Sequence, residues 1–254
     1  MDRGGWKARL FGPLQVALTL LLFAEAIAVL GAALSPAVAL FAWAEARLPA
    51  EGALRALGVG VALAAGYFAF GLALLVVVPL ARWLTLARGT PVGRFPFLSA
   101  GAWRWASYNA LTLMVRFTFV NWIRVTPFLP LYHRLMGARI GKRVQINTAV
   151  VADQNLITIG DDTVIGGDVT LVCHSAERGH LVTAPVSIGS GVTVGLMAVV
   201  FPGCTIGDGA MISAGSVLSK GTKVGPGEIW AGVPARRVGR RRPGAAAAPA
   251  AASP

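Results

Sequence analysis

Apolar and polar positions follow three different patterns along this chain, and each pattern predicts a different kind of element. From about Leu14 to Ala44 nearly every residue is apolar, with Gln15, Glu25 and Pro36 as interruptions. A second apolar run, from about Ala56 to Leu80, carries no charge at all. A helix of about 20 mostly apolar residues can span a bilayer, and both runs supply that length. They predict a two-span hairpin over residues 10–82. Pro36 is expected to kink or end the first helix, because proline lacks the backbone donor and crowds the preceding turn. Gly60, Gly66 and Gly71 allow helices to approach closely. Glu25 is costly in hydrocarbon and should face a protein neighbour or reach toward the interface. A signal peptide is the alternative for the first run, with Ala37-Val38-Ala39 as its cleavage site. The length of the apolar stretch and the second span after it favour an anchor.

The second pattern mixes aromatic and basic residues. Pro91, Pro96, Pro127 and Pro130 break residues 83–138, which excludes one continuous helix. Between them, Trp103 to Val125 interleaves Trp103, Trp105, Tyr108 and Trp122 with Arg104, Arg116 and Arg124. That is the pattern of an interfacial helix, apolar side toward the acyl boundary and arginines toward water and phosphate. A helix packed on the following domain fits it as well, whereas Arg116 and Arg124 oppose a third span.

The third pattern has a period of six. Ile188, Val194, Val200, Ile206, Ile212, Leu218 and Val224 open successive steps, and the fifth places hold Val192, Ala198, Cys204, Ala210, Ser216 and Thr222. An earlier run obeys the same rule through Ile159-Gly160, Ile165-Gly166 and Leu171, and Ile140-Gly141 with Ile146 begins another. Six matches neither helical nor strand periodicity. It predicts a solenoid in which each step is a short strand plus a corner and three steps complete a coil. The opening aliphatic residue should point inward and the small fifth residue should fit where the corner narrows. Between Leu171 and Ile188 the step is 17 where 18 would keep phase, so a loop should leave the coil there.

Composition sharpens the picture. Apolar residues make up 55% of the 254 and charged residues 13%, against about 25% charged in soluble domains. The formal charge is +12. Between Glu51 and Asp153 there is no acid, while Arg55, Arg82, Arg88, Arg94, Arg104, Arg116, Arg124, Arg134, Arg139, Lys142 and Arg143 fall in that gap. Beside apolar spans, anionic lipid headgroups suit these charges better than nucleic acid. Arg3, Lys7 and Arg9 precede the first span and Arg82, Arg88 and Arg94 follow the second, whereas the connector balances Arg47 and Arg55 with Glu45 and Glu51. The positive-inside rule then puts both ends in the cytoplasm. Cys173 and Cys204 form no disulfide framework and show no metal-ligand spacing. No metal is expected. The boundaries that follow are a basic N-terminal tail (1–9), the hairpin (10–82), a basic aromatic linker (83–138), the solenoid (139–238) and a disordered basic Ala/Pro tail (239–254).

The stretches Pro185-Val186-Ser187-Ile188-Gly189, Val200-Phe201-Pro202-Gly203-Cys204-Thr205-Ile206-Gly207-Asp208-Gly209-Ala210-Met211-Ile212-Ser213-Ala214-Gly215-Ser216-Val217-Leu218-Ser219-Lys220, and Ala231-Gly232-Val233-Pro234-Ala235-Arg236 closely resemble the hexapeptide-repeat O-acetyltransferases. That group includes the maltose, galactoside, nodulation and exopolysaccharide enzymes. The phrase Leu135-Met136-Gly137-Ala138-Arg139-Ile140-Gly141-Lys142-Arg143-Val144, with the membrane part before it, is similar to the C-terminal region of polylysine-synthetase-type peptide synthetases. The resemblance implies an all-β left-handed parallel β-helix, preceded here by an α-helical transmembrane hairpin and interfacial helices. It also implies a homotrimer with acetyl-CoA, the acyl donor, bound between subunits.

Site residues follow from the same resemblance. In those enzymes a histidine soon after a Thr-Leu pair takes the proton from the acceptor hydroxyl. Here Thr170-Leu171 leads to His174, with Ser175 where proline is usual, and His180 is the alternative base. Neutral imidazole suits this task near neutral pH. Asp153 matches an acidic position near the acceptor pocket, where it could orient the base, hold an acceptor group or serve as an ordinary turn residue. The backbone N–H of Leu196, after Gly195, matches the donor that meets the tetrahedral intermediate; the tryptophan usual at Thr193 is missing. The pantetheine arm should run along Ala214-Gly215-Ser216, with Lys220 and Arg236 at the phosphates and Trp230 either over the adenine or packed within the protein. Cys173 is discounted as a nucleophile because those enzymes transfer the acyl group directly. Asp161, Asp162, Asp168 and Asp208 are read as solvent-facing corners, and His133 as outside the chemistry. The expected protein is a membrane-anchored, CoA-dependent O-acyltransferase at the inner face of the cytoplasmic membrane. It would acylate a hydroxyl or amine of a membrane-associated acceptor such as a lipid-linked sugar. The rival expectations are a tailoring or peptide-bond-forming partner of a peptide synthetase, and a non-catalytic trimerising scaffold.

Overall fold

The computed structural model describes residues 5–85 and 87–241. The start of the basic N-terminal tail and all of the Ala/Pro tail beyond Arg241 lie outside the described residues. The chain divides into two compact units, Met1–Gly89 with Pro96–Val120 and Thr90–Phe95 with Asn121–Pro254.

The first unit is helical. Its helices are α1 (Gly5–Glu45), α2 (Ala53–Leu84) and α3 (Ala100–Thr118). By length and composition both Gly12–Glu45 and Ala53–Leu84 are able to cross a membrane. Pro36 does not end α1, which runs on to Glu45 with both Pro13 and Pro36 inside it. Long apolar helices accept proline where neighbouring groups take up the freed carbonyls. Two of the three glycines singled out in α2 face neighbours, one at ordinary contact distance and one in a tight place. A Cβ on Gly66 would sit 3.6 Å from the Ala37 carbonyl oxygen, and one on Gly71 would overlap the Phe119 ring at 2.1 Å. Phe119 packs edge-on against Tyr67 and Phe68, at centroid distances of 6.1 and 6.0 Å, and the Tyr67 hydroxyl donates to the Thr118 carbonyl.

Helix α3 starts at a Ser99 cap, whose hydroxyl accepts from the Ala102 N–H at 3.3 Å. It ends at Thr118, before the Val125 that the aromatic pattern suggested. Tyr108, Leu111 and Val115 are fully buried on its inner side, so much of the face expected to meet lipid packs within this unit. Phe117 stays 76% exposed. Glu25 does meet protein. It lines a cavity of about 610 Å³ with Leu21, Ala28, Val77, Ala81 and Ser107. Its buried Oε1 has no hydrogen-bond partner among the described residues.

In the second unit the chain visits three parallel sheets in rotation. The first sheet holds Arg139–Ile140, Ile157–Ile159, Val186–Ile188, Thr205–Ile206 and Lys223–Val224. The second holds Gln145–Ile146, Val164–Ile165, Thr193–Val194, Met211–Ile212 and Glu228–Gly232, and the third holds Thr170–Leu171, Val199–Val200 and Val217–Leu218. Register repeats every three six-residue steps: Ser187 pairs with Thr205, Thr193 with Met211 and Val199 with Val217, each 18 residues on. The opening residues of the six-residue steps from Ile188 to Val224 are at most 3% exposed. Of the fifth places, Val192, Ala198, Cys204, Ala210 and Ser216 are fully buried. The period therefore sets the core directly, apolar rungs stacked at one strand spacing.

Several charges expected on open surface staple coils together. Asp208 Oδ1 accepts the Ser190 N–H at 2.8 Å and Asp161 Oδ1 accepts the Lys142 N–H at 2.7 Å. Arg124 reaches Asn147 and Asp168, Arg143 forks onto Asp162, and Arg134 donates to the Ile140 carbonyl. Part of the acid-free basic stretch thus closes the first coils. At the far end, Ala235–Arg240 turns back antiparallel on Glu228–Gly232, so order continues past residue 238.

Candidate active site

Two departures from the 18-residue rule build the site. Between the first and second coils the register is longer by one or two, Arg139 pairing with Thr158 and Val151 bridging Leu171. The extra length is a one-turn 3₁₀ helix, Gln154–Leu156, preceded by Asp153 at φ 59, ψ 47. One coil later the register jumps to 29, Thr170 pairing with Val199 and Ile157 with Val186. The excess is a hairpin. His174–Glu177 pairs antiparallel with His180–Thr183, and the Ala184 N–H closes its neck on the Cys173 carbonyl at 2.9 Å.

Because Val151 bridges Leu171, the chain positions two and three residues further on also meet. The His174 Nδ1 lies 2.6 Å from Asp153 Oδ2. The Asp153 side chain is fully buried, while the His174 side chain keeps 25% exposure. Asp153 Oδ2 also accepts the Cys173 N–H at 3.2 Å, and Oδ1 accepts the Thr90 hydroxyl at 2.9 Å. A carboxylate so placed accepts Nδ1–H, which puts the imidazole lone pair on Nε2. The arrangement can lift a proton from a hydroxyl presented at Nε2 while the carboxylate steadies the resulting imidazolium. His180 differs: its Nδ1 faces the Arg178 carbonyl at 3.0 Å near the hairpin tip. Cys173 is fully buried. Burial, helped by the Asp153 charge, pushes its thiol upward and away from thiolate chemistry.

A second group stacks along one edge of the coils. Gly195 N–H donates to the Ile212 carbonyl at 2.7 Å, and the Gly215 N–H to the Leu196 carbonyl at 2.8 Å. Gly195 is required by closeness, since a Cβ there would sit 2.5 Å from the Ala214 nitrogen. The Leu196 side chain is 52% exposed, and its N–H meets no acceptor among the described residues. Ala214 and Gly215 form an exposed corner, and the buried Ser216 hydroxyl accepts the Gly232 N–H at 3.3 Å.

Of the cations, Lys220 pairs with Glu177 of the hairpin, and that pairing, followed by the Ser175 hydroxyl, holds the Glu177 carboxyl below its usual range. Trp230 is half-buried and donates its indole N–H to Glu228 at 2.9 Å. Exposed Arg236 lies opposite Ala231 in the terminal strand pair. Among the described residues no cluster of three or more His, Cys, Asp or Glu is disposed to hold a metal ion. Thr90, Asn155, Thr183 and the Lys220–Glu177 pair are absent from the sequence expectations. No local motif marks them, because each acts through a partner far along the chain.

No family model matches the chain. It is 28% identical over 154 residues to delta-poly-L-ornithine synthetase of Acinetobacter baumannii strain AB307-0294, covering 61% of this chain and 11% of that protein. The chain therefore spans about a ninth of the length of this curated relative. Among solved structures it is similar to a hexapeptide-repeat acetyltransferase of Vibrio cholerae complexed with acetyl coenzyme A, at 28% identity, 41% of this chain, 60% of that one and a TM-score of 0.38. It is also similar to a galactoside acetyltransferase in complex with coenzyme A, at 23% identity, 58% and 86% coverage and a TM-score of 0.45. These neighbours are hexapeptide-repeat acetyltransferases, and the curated relative is a polyamino-acid synthetase. Both likenesses were implied by the motifs.

Proposed function

We propose that this chain is a membrane-anchored acyltransferase that moves an acyl group, an acetyl in the simplest case, from acyl-CoA to a hydroxyl or amine of a membrane-associated acceptor. The observation that carries the reading is the His174–Asp153 contact of 2.6 Å at the root of the hairpin. In the reaction, His174 Nε2 takes the acceptor proton as the acceptor oxygen or nitrogen bonds to the thioester carbonyl carbon. The carbon–sulfur bond then breaks, and the imidazolium returns its proton to the departing thiolate. The unengaged Leu196 N–H is suited to the transient oxyanion. The residues fit a CoA ester: small exposed Ala214 and Gly215 leave room for a pantetheine arm. Lys220 and Arg236 supply positive charge for phosphates, with Lys220 leaving Glu177 or sharing it.

The motif resemblance supports three further parts of the reading. These are a left-handed hand for the coil, a homotrimer with donor sites between subunits, and acetyl-CoA as donor. The two apolar helices and the charge asymmetry of their flanks support an inner-membrane, multi-pass arrangement with the coil in the cytoplasm. The synthetase likeness keeps one other reading in view, a tailoring or bond-forming partner of a peptide synthetase.

Calorimetric titration of the detergent-solubilised full chain with acetyl-CoA separates the enzyme from a non-catalytic scaffold. The expected result is saturable binding, weakened about tenfold by Lys220→Ala, the scale of one charge-assisted contact. Absence of binding would favour the scaffold.

A further inference from the structure

Asp153 is held from two sides, and only one of them is the hairpin coil. Oδ2 faces Cys173 N–H and His174, whereas Oδ1 takes the hydroxyl of Thr90, a residue 63 positions earlier that is itself 3% exposed. Thr90 is fixed at its backbone as well. Its N–H donates to Asn155 Oδ1 at 3.0 Å and its carbonyl accepts Asn155 Nδ2 at 2.9 Å. Three residues on, the Gly93 N–H donates to Thr183 Oγ1 at 3.0 Å, and that hydroxyl lies 2.5 Å from the Pro91 carbonyl. Thr183 is the strand partner of His174. The short segment from Thr90 to Gly93 is therefore tied both to the loop that carries Asp153 and to the hairpin that carries His174.

We infer that Thr90 is a positioning residue for the His174–Asp153 dyad, acting through its hydroxyl on Asp153 Oδ1; this rests on the reading of His174 as general base. A carboxylate with donors on one oxygen alone can rotate about its Cβ–Cγ bond, and the Thr90 hydroxyl fixes that rotation with Oδ2 toward the imidazole. The same hydrogen bond draws off negative charge and so limits how tightly the dyad holds a proton. Among the described residues, the titratable side chains facing Asp153 include His174 and the Cys173 thiol. Burial keeps the Cys173 thiol protonated.

The test uses the full chain in detergent micelles and needs no acceptor. Diethyl pyrocarbonate acylates neutral imidazole, and peptide mass spectrometry reads its rate at His174 alone, from about pH 5 to 8. Thr90→Val keeps the shape and removes the hydroxyl, so the midpoint of His174 reactivity should move to higher pH by about half a pH unit. Thr90→Ser restores the hydroxyl and should match the parent chain. Asp153→Asn removes the charge and should move the midpoint to lower pH. If Asp153→Asn shifts the midpoint but a folded Thr90→Val does not, the Thr90 role is overturned while the dyad stands. If Asp153→Asn leaves the midpoint in place, the dyad reading fails, and the Thr90 role falls with it. Should Thr90→Val not fold, Thr90→Ala beside Thr90→Ser makes the same comparison.

Discussion

Asp153 takes a left-handed backbone conformation, φ 59 and ψ 47, that aspartate tolerates better than most residues. The conformation turns a buried carboxylate toward three donors, and a buried charge persists where its hydrogen bonds are satisfied. Replacing the carboxylate by an amide keeps the volume but removes the acceptor that fixes Nδ1–H and steadies the imidazolium. Asp153→Asn should therefore lower kcat by about 10² to 10⁴-fold, on the scale of losing an oriented base, with acetyl-CoA binding unchanged by calorimetry. Unaltered turnover would mean that Asp153 only shapes the turn. Sequence made both residues legible as candidates, His174 through the phase break and the Thr-Leu pair, Asp153 through its place before Ile159. Their contact was not legible, because it depends on the offset between two coils of unequal length. Thr90 lay further out of reach, since nothing near it in the chain signals a partner 63 positions later.

At the scale of elements, the hexads were legible because a single rule fixes side-chain direction at every step. The aromatic-basic stretch was not, because its periodicity says that one face is apolar without saying what covers it. Its last helix, Phe128–Leu135, buries His133 completely, and neither ring nitrogen has a hydrogen-bond partner among the described residues. Burial lowers its pKa to about 3 in the folded protein, whereas the unfolded chain protonates it near 6.5. The unfolded state thus binds the extra proton first as pH falls. The stability from neutral His133 is whole above about pH 6.5 and declines toward pH 3, by at most about 1.4 kcal/mol per pH unit. Denaturant melts at pH 7 and 5 should show that loss, and His133→Leu should flatten the dependence. An equal pH slope in both forms would place the effect elsewhere.

For the whole molecule, hydropathy separates a unit with two helices able by length and composition to cross a membrane from a unit of parallel strands. Arginines that composition assigned to lipid are partly engaged in closing the coil, as Arg124, Arg134 and Arg143 show. These three arginines are correspondingly less available to lipid than the sequence alone suggests. Under the proposed membrane anchoring, acceptors held at the same surface would be met at a raised effective concentration without any new contact. The most direct measurement follows radiolabel from acetyl-CoA into membrane extract, with the full chain reconstituted in lipid and His174→Ala beside it. Label transfer is expected from the parent chain, reduced by about 10²-fold or more in His174→Ala. Equal transfer by the two forms would contradict a general-base role for His174.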